Sequence, residues 1–429
     1  MAPLLFSTTQ KRENVPWTRK TVGDLKPLVL YRPTLDFNER PGRNPYQFLE
    51  NHHSQLFLQL YGFAKKIFAG TGSFTSKRSA WVHEYPEEFY KYVQAIARPD
   101  LHAMHWEGLL RKEPERIFLI MGIIMKVIDA KVFSSLMFGA SEKHEKALTT
   151  HDIDLINCDG FERSEILSRM NEAYLRESAG VPPFFWDQVA KITSQIAILL
   201  LPLYNVVGEE SAGAIPDLET LTKDLSHVVS YAGWISVMTR LDPGITVVSW
   251  LAPGDEYQLG QVNVLHEAFE HSKDRAERCV KRQKGCDKLQ KGSGLQRAGR
   301  VKLSVTPRIE HYSLHTPKPG ALTETRRHEV LEPHVTYYSG PLDPREDAKT
   351  LYPLSEYIRR VREPWHMPPV PCALLSAVAF ILGLCSLYIC YHEMDSRQLR
   401  DLRDFLRIMF ALFLEQIGLL DVWFKYIGL

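Results

Sequence analysis

The sequence predicts an all-α protein: an irregular multi-helix body with flexible arms and a C-terminal pair of hydrophobic helices, the first transmembrane. Three observations carry this. Between Asn44 and Arg240, apolar residues recur at three- and four-residue spacing in one segment after another. β-like runs are short, the clearest being Ile245–Leu251 between Asp242-Pro243-Gly244 and Pro253-Gly254. Third, Cys372–Tyr391 reads CALLSAVAFILGLCSLYICY, twenty residues without a charge. Twenty helical residues rise about 30 Å, the thickness of a hydrocarbon core.

Residues 1–43 hold five prolines, eight basic and four acidic groups and no sustained period. They predict a flexible basic arm with a short docked piece at Leu28–Tyr31. The helical body is expected over 44–258, with six or seven helices. Its first helix starts at Asn44-Pro45, a cap followed by proline at the first helical position. It stops at Gly70-Thr71-Gly72. A second runs from Glu87 to Ala97, and a short segment with Trp106 follows. Glu115–Phe138 is apolar on most faces but interrupted by Lys126, Asp129 and Lys131, so it reads as a core helix rather than a span. Glu162–Glu177 and Pro183–Tyr204 predict two more helices, the second ended or kinked by Pro202. Its apolar run of about ten residues is short for a membrane. Pro216–Arg240 gives another amphipathic helix. The stretch LSHVVSYAGWISVMTRLDPGITVVSWLAPGDEY, Leu225–Tyr257, resembles uncharacterised helical proteins of filamentous fungi. That resemblance covers about half the chain, implies an all-α body, and implies no activity.

Residues 259–302 read as a basic charged helix and loop, with Lys288–Arg300 in the loop. From 273 to 302 there are eleven basic and three acidic groups. Lys273, Arg275, Arg278, Lys281, Arg282, Lys284, Lys288 and Lys291 are the candidates for an anionic surface such as acidic lipid. The stretch has no aromatic residue to stack on bases, so sequence-specific nucleic-acid recognition is not expected. Residues 303–367 hold eight prolines and read as mostly irregular linker, with Val301–Val305 and His334–Tyr338 as extended pieces able to pair.

Residues 368–429 form the membrane region, Cys372 opening the span, Leu382 at its middle and Tyr391 closing it. Nine strongly apolar positions give roughly −3 to −5 kcal/mol in favour of insertion. After Asp395 an amphipathic helix ends in Trp423, Phe424 and Tyr426, residues suited to a membrane–water boundary. Arginines flank the span on both sides, so charge sets no orientation. The alternative places both C-terminal helices in the core of a soluble cytoplasmic or nuclear protein. The start, MAPLLFSTTQKR, has no positive region before its apolar residues and is not read as a signal peptide. Six scattered cysteines, three of them in the apolar run, argue against a disulfide framework.

Catalytic motifs fail on spacing. In HEAFEH, His266 and His271 are five apart and about 140° from each other on a helix, whereas a zinc helix needs four. His266, Glu270 and His271 remain the metal candidates of a rival reading, a metal-dependent helical enzyme. His52-His53, His102/His105 and His151-Asp152 with Asp154 are isolated histidine features. Gly208–Gly213 is one residue too long for a serine elbow, and Gly285–Gly292 lacks the Lys-Ser/Thr of a phosphate loop. The expected protein is a non-enzymatic, membrane-anchored interaction or scaffold module with protein partners and no cofactor.

Overall fold

The computed structural model describes residues 31–40, 44–76, 78–98, 104–211, 215–257, scattered positions between 262 and 281, 297–315, 324–350 and 352–363. The chain divides into two units, Met1–Ile358 and Arg359–Leu429. Predicted features at Leu28–Leu30 and in the run 372–391 with the helix after it lie outside the described residues.

The fold is mostly helical but not all-α, because two three-stranded sheets accompany the helices. Eight described α-helices precede the first strand: α1 Pro45–Phe68, α2 Glu87–Ile96, α3 Met104–Arg111, α4 Glu113–Ile128, α5 Glu142–Asp154, α6 Gly160–Glu177, α7 Phe185–Glu210 and α8 Leu218–Leu241. Then come β1 Ile245–Ser249, β2 Val262–Asn263, β3 Arg297–Ser304, β4 Arg308–His315, β5 Glu324–Leu331 and β6 His334–Pro341. Two short helices follow, α9 Pro344–Thr350 and α10 Leu354–Arg362.

The long helix α1 starts at its proline as expected, and Gly70 and Gly72 end it with φ of 61° and 110°. Those angles lie where a Cβ is strained, which makes the glycines effective stops. Leu49, His53, Leu56, Leu60, Phe63 and Ile67 line its buried stripe, which packs against α4, α7, α8 and β5. The second helix of this core, α4, is buried nearly all round, as its sequence implies. It widens into a π turn over Asp129–Phe133. Side chains of α8 reach carbonyls in and just after that turn. Arg240 Nη2 and Nε donate to Phe133 O and Ser135 O at 2.8 and 2.9 Å, and Ser236 Oγ donates to Val132 O at 3.0 Å.

Proline 202 neither ends nor bends α7 out of helix, which continues to Glu210. A proline withdraws the donor for the carbonyl four residues earlier, here Ile198, whose side chain is 56 % exposed. Among the described residues, α7 is the one helix long and apolar enough to cross a bilayer, with a mean hydropathy of 1.4 over its best window. Half of that window is buried within the fold, where it packs on α8.

Helix α5 escapes sequence periodicity because only Leu148 on it is buried. Its start is marked instead by Ser141, whose hydroxyl accepts from His144 N. The expected irregular linker is also corrected: 303–341 is largely strand, and Arg297–Arg300 belongs to β3 rather than to a loop. Alternation there was obscured by buried charge and histidine. The pairing of Val301–Val305 with His334–Tyr338 is present, with Val301 opposite Tyr337 and Ser304 opposite Val335. Ile245–Ser249 is the edge strand β1 of the sheet ordered β1-β4-β5. The other sheet, β2-β6-β3, is antiparallel between β6 and β3 and parallel between β2 and β6.

Residues 31–40, with a turn at 37–38, dock on α7 and α8, so the N-terminal arm is narrower than predicted. Trp234 Nε1 donates to Asp36 O at 2.9 Å, Phe37 is buried edge-on against Phe185, and Arg32 lies over the Trp186 ring.

Candidate functional site

The basic stretch is the predicted site with the most residues in view. Glu270, Lys273, Arg278 and Lys281 are all helical, Arg278 and Lys281 exposed and Lys273 half-buried. The helix is held by Ala276, buried with Tyr257, Val301, Val335 and Tyr337. Its close approach to the sheet depends on Gly299, where an added Cβ would fall 2.5 Å from that of Ala276. Lys281 pairs with Glu277 at 3.5 Å, and Arg278 Nε donates to Asp274 O at 3.1 Å. These are surface contacts of small energy, and they leave both cations at the solvent. Arg275, Arg282, Lys284, Lys288, Lys291, His266 and His271 lie outside the described residues, as do Cys372, Leu382 and Tyr391.

Two basic residues counted in the stretch serve the fold instead. Arg300 is buried and donates from Nε, Nη1 and Nη2 to the carbonyls of Pro341, Gly254 and Leu342 at 3.0, 2.8 and 2.7 Å. Lys302 pairs with Glu115 at 3.0 Å, tying β3 to α4. The charge available to a partner is therefore concentrated before residue 297.

The histidine features separate in space. His52 is half-buried with Nδ1 2.7 Å from Tyr231 Oη, and its ring lies edge-on to Trp234. His53 points the other way, into the core, with Nδ1 2.9 Å from Leu49 O. Burial pulls His53 down to about 4. His151 is exposed on the last turn of α5, not in a loop, and Asp152 beside it holds Arg163 of α6 at 2.6 Å. That aspartate is a clasp between two helices rather than a metal ligand. His102 and the His105 side chain lie outside the described residues. Among the described residues, no group of three His, Cys, Asp or Glu side chains is placed to hold a metal ion.

The fold also assembles a buried acid–histidine pair that was not visible in the sequence. Asp242, which caps α8, places Oδ2 3.4 Å from His311 Nε2 on β4. Thr246 Oγ1 lies 3.4 Å from the other ring nitrogen, and Gly244 N donates to Asp242 Oδ2 at 2.8 Å. Acid, imidazole and hydroxyl in a row have the order of a nucleophilic relay. The imidazole is completely buried, and Gly244 is pressed onto it so closely that a Cβ there would meet Cε1 at 2.2 Å. No substrate atom can approach that ring. Burial raises Asp242 and lowers His311, so desolvation favours an uncharged pair. The arrangement is a polar joint between α8, β1 and β4.

Other buried ionic groups have the same character. Arg98 Nη2 pairs with Asp347 at 2.8 Å, and Tyr338 Oη donates to the same carboxylate at 2.8 Å. Glu107 accepts from Ser79 Oγ, from Tyr357 Oη at 2.8 Å and from Arg111 Nε at 3.1 Å. Arg116 is fully buried and gives its donors to five carbonyls at the ends of α1 and α3. Ser211, in the stretch that nearly matches a serine elbow, accepts from Thr71 N at 3.2 Å and braces the turn after α1. Each of these ties together segments distant in sequence. Comparison of the chain with protein-family models, with curated proteins and with solved structures finds no match in any of the three.

Proposed function

We propose that this protein is a non-catalytic helical scaffold held at a membrane by the apolar run Cys372–Tyr391. The observation that carries the reading is the composition of that run: twenty residues, no charge and nine strongly apolar positions. The buried polar groups of the described body also support it, because Arg98, Glu107, Arg116, Asp347 and Arg300 are engaged with structural partners. In this reading the cations from Lys273 to Lys291, with Arg278 and Lys281 at the solvent, rest on anionic headgroups.

Two arginines placed in the run test it. Val378→Arg with Leu382→Arg adds roughly 5–7 kcal/mol against insertion, more than the −3 to −5 kcal/mol in its favour. The expected result is that the full chain sediments with carbonate-washed membranes and the double variant stays in the supernatant with unchanged far-UV circular dichroism. A wild-type chain that is fully soluble, or a variant that loses its fold when the run is charged, overturns the reading in favour of a core helix. The released variant should still bind vesicles containing phosphatidylserine, weakening as salt rises. Equal binding to zwitterionic vesicles removes the headgroup role of the basic stretch.

A further inference from the structure

The sheet β1-β4-β5 has two edges, and they are built oppositely. Along β5 stand Glu324, Arg326, Arg327 and Glu329, all exposed. Charges on an edge oppose the addition of another strand, and this edge is blunted by them. The other edge, β1, reads Ile245-Thr246-Val247-Val248-Ser249. It carries no charge, proline or glycine, and three of its five residues are valine or isoleucine. Among the described residues, β1 pairs with β4 alone, so one row of its N–H and C=O groups faces outward.

Its surroundings are apolar as well. Val247 is 40 % exposed, and Leu314 on the neighbouring strand is 53 % exposed. Helix α6 opens at Gly160 beside Ile245, an added Cβ there lying 3.2 Å from Ile245 Cδ1. The loop feeding that helix carries Ile156, 64 % exposed, and Ile153, 62 % exposed, closes α5 just before it. The inner face of β1 is occupied, Val248 packing on the cluster of Leu49, Ile309, Val330 and Leu331. Among the described residues, what stays open is the edge and the outward face.

We propose that β1 is a self-association edge, pairing antiparallel with β1 of a second copy of this chain. An outward row of backbone donors and acceptors specifies an extended strand as the occupant. The lack of charge on β1 favours its own copy, because antiparallel pairing about Val247 places Val247 opposite Val247, Thr246 opposite Val248 and Ile245 opposite Ser249. No like charges meet in that register, and the β-branched pairs are those that stabilise neighbouring strands. A strand of β5 composition would bring four charges to an uncharged edge.

The test uses the full chain in mild detergent and measures mass by sedimentation. The wild type is expected to be a dimer. Val247→Lys and Val247→Glu each put two like charges face to face on the two-fold axis and should weaken self-association by roughly tenfold or more. Both side chains remain outward, opposite Glu310 of β4 in the register, and circular dichroism reports whether the fold is kept. Mixing the two variants should restore a heterodimer through Lys–Glu pairing. As a second measurement, Val247→Cys in a background with all six native cysteines replaced by serine should give an intermolecular disulfide across the axis. A monomeric wild type overturns the proposal, as does a dimer that both charged variants leave intact or a mixture that fails to restore association. Membrane attachment is read separately by sedimentation with membranes, so either conclusion can fail alone.

Discussion

Replacing Arg116 tests whether buried backbone carbonyls, rather than a carboxylate, hold the junction of α1, α3 and α4. Arg116 Nε donates to Phe68 O at 2.7 Å, Nη1 to Leu110 O at 2.7 Å and Arg111 O at 3.1 Å, and Nη2 to Ala69 O and Gly72 O at 2.7 Å each. The guanidinium also lies 4.0 Å from the Phe74 ring centroid. Burial pulls it down to about 10, so it remains the charged donor at neutral pH. In Arg116→Met the stem still fills its space, but the donors are gone. Ala69 O keeps Gly72 N as a donor and Arg111 O keeps Phe74 N. The carbonyls of Phe68, Leu110 and Gly72 lose theirs, at about 1–2 kcal/mol each for a buried acceptor, or ~3–6 kcal/mol. Relief of the guanidinium's own burial returns part of that, which places the net loss near 4 kcal/mol. Arg116→Lys keeps the charge but lacks the planar fork, cannot serve three separated carbonyls at once, and should lose roughly half as much. Urea denaturation of the full chain in detergent, followed by tryptophan fluorescence, gives both values. If methionine and lysine each change stability by less than about 1 kcal/mol, the carbonyl junction is not what holds these helices.

Two further predictions concern the fold. His53 and His334 are both held at about 4 by burial, against 6.5 for the free side chain. Below pH 6.5 the unfolded chain binds protons that the folded chain refuses, so stability falls between 6.5 and about 4. It changes by up to ~1.4 kcal/mol per pH unit for each histidine, and His53→Leu should flatten the pH slope of the melting temperature by removing one such contribution. An unchanged slope would show that His53 is not buried in the neutral form. Glycine substitutions should split by environment. Gly139, at φ 77°, would place a Cβ 2.5 Å from Phe185 Cα, so Gly139→Ala is expected to cost ~3 kcal/mol or more. Gly62 lies within α1 with nothing within 4 Å of its added Cβ, so Gly62→Ala should stabilise by about 0.5–1 kcal/mol. Thermal melts that rank the two variants the other way would contradict the backbone geometry.

Much of the helical body is legible from residue spacing. Leu49, Leu56, Leu60, Phe63 and Ile67 announce the buried face of α1, and Asn44-Pro45 with Gly70 and Gly72 marks its ends. Helix α5 is not legible, since one buried leucine sets no period. The sheets are half legible. Ile245–Ser249 is rich in β-branched residues between turn residues, whereas β4 and β5 carry Glu310, His311, Arg326, Arg327 and His328, residue types that normally signal surface chain. In the fold, Arg327 reaches Glu310, and the His328 ring stacks on Tyr46 at 4.1 Å. Polar residues are tolerated there because partners arrive from other elements.

The sequence by itself determined what depends on neighbours within one turn or along one run. It set where α1 starts and stops, which faces of α1, α4 and α8 are apolar, and that Cys372–Tyr391 has the composition of a membrane span. Tertiary structure decided the fate of the isolated polar residues. It joined Asp242 to His311, Arg98 to Asp347 and Glu107 to Tyr357, and it turned Arg300 from a member of a basic tract into a buried donor. Helical and apolar preferences act over a few residues and leave a periodic trace in the chain. A buried charge takes its partner from wherever folding brings one within 3 Å, and that separation leaves no local pattern.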